Sequence, residues 1–265
     1  MASRIVLITG ANTGLGLEIV RALYRSESSS TILCGSRSLD KASAALKALQ
    51  ADKPKNPQTT VEPIQIDIED DNSINSAFDN VENTHGHIDC LVNNAGIALD
   101  QAFLAGKISQ REAWDKAYSV NVTSTHVMTY KFAPLLIKSS DPRLIFIGSG
   151  TASLARQVAL KSPIDHSPPK GWPKPIIGQC AYRTSKTALT MVMREWARIL
   201  KEDGVRVFAC SPGMLATNLG GSPEQLKAYG ALDPSIGGGF VKDVIEGKRD
   251  ADAGKAIDKT GVQDW

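Results

Sequence analysis

The sequence predicts an α/β fold, one doubly wound parallel sheet with helices on both faces, and three observations carry that expectation. Short apolar runs rich in β-branched residues alternate with longer runs of helical periodicity. Strands covered on both faces by crossover helices read in this way. The first strand run leads through a glycine-rich turn straight into a helical pattern. Finally, 265 residues with 42% hydrophobic content can build a sizeable core, and no internal repeat or linker divides them. The whole chain, 1–265, is therefore expected to be a single domain with right-handed crossovers.

In chain order, the first strand is RIVLIT (4–9), and the helical pattern near 15–26 follows it. TILCGS (31–36) is the second strand, with a helix near 39–51. VEPIQI (61–66) is the third, with a helix near 70–84. IDCLVN (88–93) precedes one long helical stretch, 109–139. RLIFIG (143–148) is followed by an irregular region, 154–178, and then by a helix over 179–202. VRVFAC (205–210) completes the expected strands, and the polar tail after 248 offers at most a short edge strand around Lys255–Ile257. The segment KSPIDHSPPKGWPKPIIG is too dense in proline for regular helix or central strand. It reads as a long surface excursion.

The turn TGANTGLG (9–16) sits where a dinucleotide fingerprint requires it, after a strand and opening a helix. Gly10 permits the tight exit from the strand. Gly14 lets a pyrophosphate approach the backbone, and Gly16 allows close helix–strand packing. Asn12, Thr13 and Leu15 complete the turn, and the free N–H groups of the helix start face the phosphates. Twenty-one residues after Gly16 the second strand ends in CGSRS. An acidic residue there would bind a free ribose 2′-hydroxyl; this chain has Ser36, Arg37 and Ser38. A guanidinium flanked by hydroxyls suits a 2′-phosphate, so NADP(H) is expected rather than NAD.

Three more motifs follow in order: NNAG at 93–96, a serine (Ser149) ending the fifth strand, and Tyr182-x-x-x-Lys186 opening the next long helix. Alone, a Tyr and a Lys four residues apart only share a helix face. Together with the glycine turn the motifs resemble the short-chain dehydrogenase/reductase family from about residue 4 to residue 219, and the NADPH-dependent carbonyl reductases within it. The resemblance implies a Rossmann fold and a catalytic quartet of Asn121, Ser149, Tyr182 and Lys186. In that scheme Tyr182 exchanges the proton and Lys186 lowers the phenol pKa while holding the nicotinamide ribose. Ser149 donates to the substrate oxygen, and the Asn121 backbone carbonyl keeps a water in a relay. The family likeness also implies cofactor contacts at Asp67 and Ile68, at Asn94, Ala95 and Gly96, and at Pro212, Gly213, Leu215 and Thr217. Asp67 would equally serve as a helix cap, and Asn94 as a brace of the sheet.

Ser149 and Tyr182 are thirty-three residues apart, more than in many family members and comparable to the monomeric carbonyl reductases. A monomer is slightly favoured on that resemblance, with a dimer the alternative. Trp172, Ile176 and Ile177 of the insertion, together with Ala152, Leu154, Met214 and Leu215, are candidates for an apolar substrate mouth. They would form either a lid or an anchor for the loop. His85, His87, His126 and His166 lack ligand spacing, and the four cysteines form no CxxC pair, so no metal site is expected. Net charge of +2 argues against nucleic acid or an anionic membrane as partner, and no leader or spanning segment is legible. A reduced, cytoplasmic enzyme is expected. The function expected is NADPH-dependent reduction of a ketone or aldehyde. The alternatives are NADP-dependent alcohol oxidation, a non-catalytic NADP(H)-binding regulator, and a reductase recruited to a natural-product step.

Overall fold

The computed structural model describes residues 3–51, 53–174 and 179–265. Among them eight strands form one sheet: β1 (Arg4–Ile8), β2 (Ser30–Ser36), β3 (Thr60–Gln65), β4 (Cys90–Asn93), β5 (Arg143–Ile147), β6 (Arg206–Ser211), β7 (Ala256–Asp258) and β8 (Gly261–Val262). Their order is β3-β2-β1-β4-β5-β6-β7-β8. All pairs are parallel except β7–β8. The helices are α1 (Gly14–Tyr24), α2 (Leu39–Leu49), α3 (Asp71–His85), α4 (Asp100–Leu104), α5 (Gln110–Tyr118), α6 (Thr125–Leu136), α7 (Leu154–Val158), α8 (Cys180–Ile199), α9 (Pro223–Ala228) and α10 (Pro234–Ile245). This is the Rossmann-like architecture expected from the alternation of strands and helices.

Alternation along each strand builds two cores, because successive side chains point to opposite faces. Leu7, Leu91, Leu144 and Phe146 join Phe132, Leu189, Met193 and Trp196 under α6 and α8. On the other face Val6, Ile8, Val92, Ile145 and Phe208 meet Ile19, Val20 and Leu23 of α1 and Val241, Val244 and Ile245 of α10. Chain order reverses between β1 and β4, so the crevice at their carboxyl ends is left uncovered, the usual ligand site of such sheets. Ile8 is in register with both Cys34 and Val92, which aligns the loops that follow.

Several elements differ from the sequence expectation, the short helices α4, α7 and α9 among them. The long helix of 109–139 is broken by a π-helical turn, Ser119–Ser124, between α5 and α6. α10 was not expected, because its glycine-rich PSIGGG start hides the helical period. Those glycines are there for contact: a Cβ on Gly238 would lie 2.5 Å from the Glu18 carbonyl oxygen of α1, and one on Gly237 2.6 Å from Leu215 Cδ1. The tail also contributes more than an edge. β7 pairs with β6, Ile257 is fully buried beneath α10, and β8 takes the outer position. The insertion begins with the short α7 and a 3-10 turn at Pro163–Asp165 before its irregular stretch. Ile176 and Ile177 lie outside the described residues.

Candidate functional site

A cleft of about 450 Å³ opens at the carboxyl ends of β1, β2, β3 and β4. Its floor is the glycine turn. Gly10 and Gly14 have φ of +62° and +54°, a region that a side chain resists. A Cβ on Gly16 would stand 2.5 Å from the Gly10 carbonyl oxygen and 2.8 Å from Ala11 Cα, so only glycine lets α1 start this close. Thr13, at the head of α1, makes no side-chain cap, and the first turn carries no acidic residue. Uncapped N–H groups and the positive helix end thus face the cleft, as an anion site needs.

NNAG locks this turn from the next strand. Thr9 Oγ1 accepts from the N–H groups of Asn94 and Ala95, each at 3.0 Å. Asn94 Nδ2 donates to the carbonyls of Thr9 at 2.8 Å and Gly10 at 3.1 Å. The Asn94 side chain is therefore engaged as a brace, while Asn94, Ala95 and Gly96 line the cleft.

Where β2 and β3 end, the cleft is lined by Ser36, Arg37, Ser38, Asp67 and Ile68, with Lys41 beside them. Ser38 caps α2 by accepting from Lys41 N–H at 3.3 Å. Arg37 is exposed at the strand end. Lys41 was missed from sequence, although its place four residues beyond Arg37, in the first turn of α2, was a readable signal. Asp67 does not cap α3; Asp70 does, accepting from Asn72 N–H at 2.9 Å. Asp67 instead shapes the preceding loop, accepting from Glu69 N–H at 3.1 Å.

Tyr182 and Lys186 line the same cleft, on the first two turns of α8. Lys186 is only 4% exposed, and its Nζ donates to the Ile147 carbonyl at 2.8 Å. Burial pulls the ammonium down to about 8. The phenol moves the other way, pushed up to about 12 by burial, with the Ser149 hydroxyl partly opposing. Lys186 Nζ lies 5.8 Å from the Tyr182 ring centroid, and burial is the larger influence on the phenol in this structure. Ser149 Oγ lies 2.8 Å from Thr151 Oγ1 and accepts from Thr151 N–H at 3.2 Å.

Asn121 sits within the π turn, fully buried. Its Oδ1 accepts from Ile97 N–H, and its Nδ2 donates to the Ile97 carbonyl and to Ser185 Oγ, all at 2.9 Å. The side chain ties the loop after β4 to α8. A second tie was not legible in sequence: buried Asp100 accepts from Ala181 N–H at 3.0 Å and Tyr182 N–H at 3.1 Å. Gln179, at the head of α8, makes no side-chain cap. Asp100, eighty-one residues before Ala181 in the chain, caps the helix in its place.

The segment after β6 borders the cleft through Thr217, Asn218 and Leu219. Leu215 is buried and bridged to Leu232, and Pro212 and Gly213 lead up to it. Of the candidate mouth residues, Ala152 is buried, whereas Leu154, Met214 and Trp172 are exposed, Trp172 at 87%. His85 closes α3 before Gly86, and His126 packs against Trp196 at 5.6 Å between ring centroids. Burial drives the Cys34 and Cys90 thiols up to about 12 and raises Cys210 as well. Among the described residues no helix is long and apolar enough to cross a membrane, and no group of acidic, His and Cys side chains could hold a metal.

Comparison with known proteins supplies an independent line. A family model described as short chain dehydrogenase matches residues 4–160 and 171–226. The short-chain dehydrogenase/reductase tropE of Talaromyces stipitatus is 45% identical over 97% of this chain and 96% of its own. The short-chain dehydrogenase/reductase eupG of Phoma sp is 44% identical over 98% of this chain and 97% of its own. Among solved structures, the NADPH-bound carbonyl reductase from chicken fatty liver superposes with a TM-score of 0.77, at 24% identity and full coverage of both chains. A 3-oxoacyl-[acyl-carrier protein] reductase from Brucella melitensis gives 0.73 at 22% identity, covering 98% of this chain and 96% of its own.

Proposed function

The chain belongs to the short-chain dehydrogenase/reductase family, and from that premise we propose that it reduces a ketone or aldehyde to an alcohol at the expense of NADPH. The observation that carries this reading is that Tyr182 and Lys186 line the same cleft whose floor is the glycine turn and the uncapped start of α1. The residues fit a dinucleotide: backbone with no room for Cβ atoms at Gly16, an uncapped helix start, and Arg37 and Lys41 where an adenosine 2′-phosphate would lie. The bound nicotinamide supplies the hydride.

This chain's residues do the rest. The Tyr182 phenol, held neutral by burial, donates its proton to the substrate oxygen as negative charge develops there. Ser149 Oγ, steadied by Thr151, donates a hydrogen bond to the same oxygen. Lys186, still mainly an ammonium at pH 7, places a cation beside the phenolate left after transfer. Asn121 and Asp100 hold α8 against the β4 loop so that these groups share one wall.

Burial keeps the phenol protonated at neutral pH, the form that reduction requires, while the balance between reduction and alcohol oxidation is set by the cell's cofactor ratio and not by this site. A regulator that only binds NADP(H) would have no use for a desolvated lysine beside a phenol. The test is NADPH oxidation against a carbonyl panel with Tyr182→Phe as control. Turnover should fall by about a thousandfold while NADPH affinity stays unchanged. Undiminished turnover in the variant would refute the role of the phenol.

A further inference from the structure

Resting on the reduction chemistry above, we propose that Asp165, carried by the insertion, is a positioning residue that acts through Arg183 to hold the turn bearing Ser149. The carboxylate is out of place by ordinary rules. Its neighbours Lys161, His166, Ser167 and Lys170 are exposed, yet the Asp165 side chain is only 4% exposed. A buried carboxylate needs a charged partner and hydrogen bonds to persist, and both are present. Arg183 Nη2 lies 2.6 Å from Asp165 Oδ1, and Ser162 N–H donates to Oδ2 at 2.9 Å.

Arg183 immediately follows Tyr182 on α8, and its guanidinium faces two ways. One edge takes Asp165; on the other, Nε donates to the Thr151 carbonyl at 2.9 Å. Thr151 is the residue whose N–H and hydroxyl hold Ser149 Oγ. One turn further along α8, Thr187 Oγ1 donates to the Ala152 carbonyl at 2.9 Å. Two successive carbonyls of the 3-10 turn are thereby tied to the helix that carries Tyr182. The relay runs from Asp165 to Arg183, to Thr151 and to Ser149. A planar fork with both ends engaged fixes the orientation of its partners, which a lysine cannot do. Without Asp165 the guanidinium keeps only the Thr151 carbonyl and gains freedom to rotate, so that carbonyl is no longer held in one place. The insertion is thus anchored at its Asp165 end, while Trp172 stands 87% exposed at the other.

The experiment compares Asp165→Asn, Asp165→Glu, Arg183→Lys and the double variant Asp165→Asn/Arg183→Lys. Ser167→Ala, an exposed change in the same insertion that leaves its tryptic sites intact, is the control. Steady-state kinetics, NADPH binding by fluorescence and tryptic cleavage within 159–174 are measured for each. Because a shift of about 1 Å near reacting groups costs about a hundredfold, Asp165→Asn and Arg183→Lys should each lower kcat by at least about tenfold with the NADPH Kd unchanged. Asp165→Glu should recover part of the loss, and the double variant should be no worse than either single change. Equal losses in kcat and NADPH affinity, additive single effects, or wild-type kcat in Asp165→Asn would overturn the proposal. If Asp165→Asn fails to fold, Arg183→Lys and Asp165→Glu carry the same comparison. A wild-type protein inert toward every carbonyl would sink the reductase reading instead. The clasp is then judged by cleavage, which must speed up in Asp165→Asn and not in Ser167→Ala.

Discussion

Replacing Lys186 by methionine should abolish turnover and yet change the stability of the protein in a pH-dependent way that only a buried ammonium can produce. Burial moves this lysine from 10.5 to about 8, which corresponds to about 3 kcal/mol of unfavourable burial while the group is charged in both folded and unfolded chains. The folded pKa lies below the unfolded one, so between pH 8 and 10.5 the unfolded chain holds the extra proton. Wild-type stability must therefore rise through that window. At pH 7 the methionine variant escapes the penalty but leaves the Ile147 carbonyl without its donor, at a cost of about 1–3 kcal/mol. The net difference at neutral pH is small. By pH 9.5, however, the wild type regains about 2 kcal/mol relative to the variant. Urea unfolding of both proteins at pH 7 and pH 9.5 reads this directly, because other alkaline titrations cancel in the difference. Parallel stability curves would show that Lys186 is not a desolvated cation, and its role beside Tyr182 would fall with it.

Three further expectations follow from the same cleft. Arg37→Glu should raise the KM for NADPH by about a hundredfold, the scale of one or two charge-assisted bonds lost, and leave NADH far less affected; equal effects would remove Arg37 from any phosphate role. Gly16→Ala places a methyl 2.5 Å from the Gly10 carbonyl oxygen. It should cost about 1–3 kcal/mol of stability and abolish NADPH binding in a fluorescence titration, whereas retained binding would mean the turn is not the phosphate cradle. Asp100→Asn keeps the shape but presents an amide to one of the two N–H groups it now accepts. It should destabilise by about 1–3 kcal/mol and lower kcat more than NADPH affinity, checked by urea unfolding and steady-state kinetics.

Much of this molecule was written locally. The strands β1 to β6 read as apolar runs because a sheet covered on both faces has no polar side to display. The glycine turn read as a phosphate cradle because its backbone demands leave no choice of residue. Tyr182 and Lys186 stood out only once the glycine turn, NNAG and Ser149 preceded them in order, and Arg37 stood out by its distance from the turn. What stayed hidden depends on partners distant in the chain. α10 was masked because Gly237 and Gly238 serve contact with Leu215 and α1 rather than helix propensity. Asp100 and Asp165 carry no local signal of their roles; folding brings them to α8, where one caps the helix and the other pairs with Arg183.

Electrostatics divided in the same way. Sequence places an ammonium four residues from a phenol and so predicts a lowered phenol. Only the packed structure removes water from both, and desolvation depends on every neighbouring atom rather than on spacing. Residue types and their intervals along the chain thus determined which groups line the cleft. The fold decided how dry their surroundings are and which distant carboxylates hold them, because burial belongs to the whole assembly of side chains and is encoded at no single position.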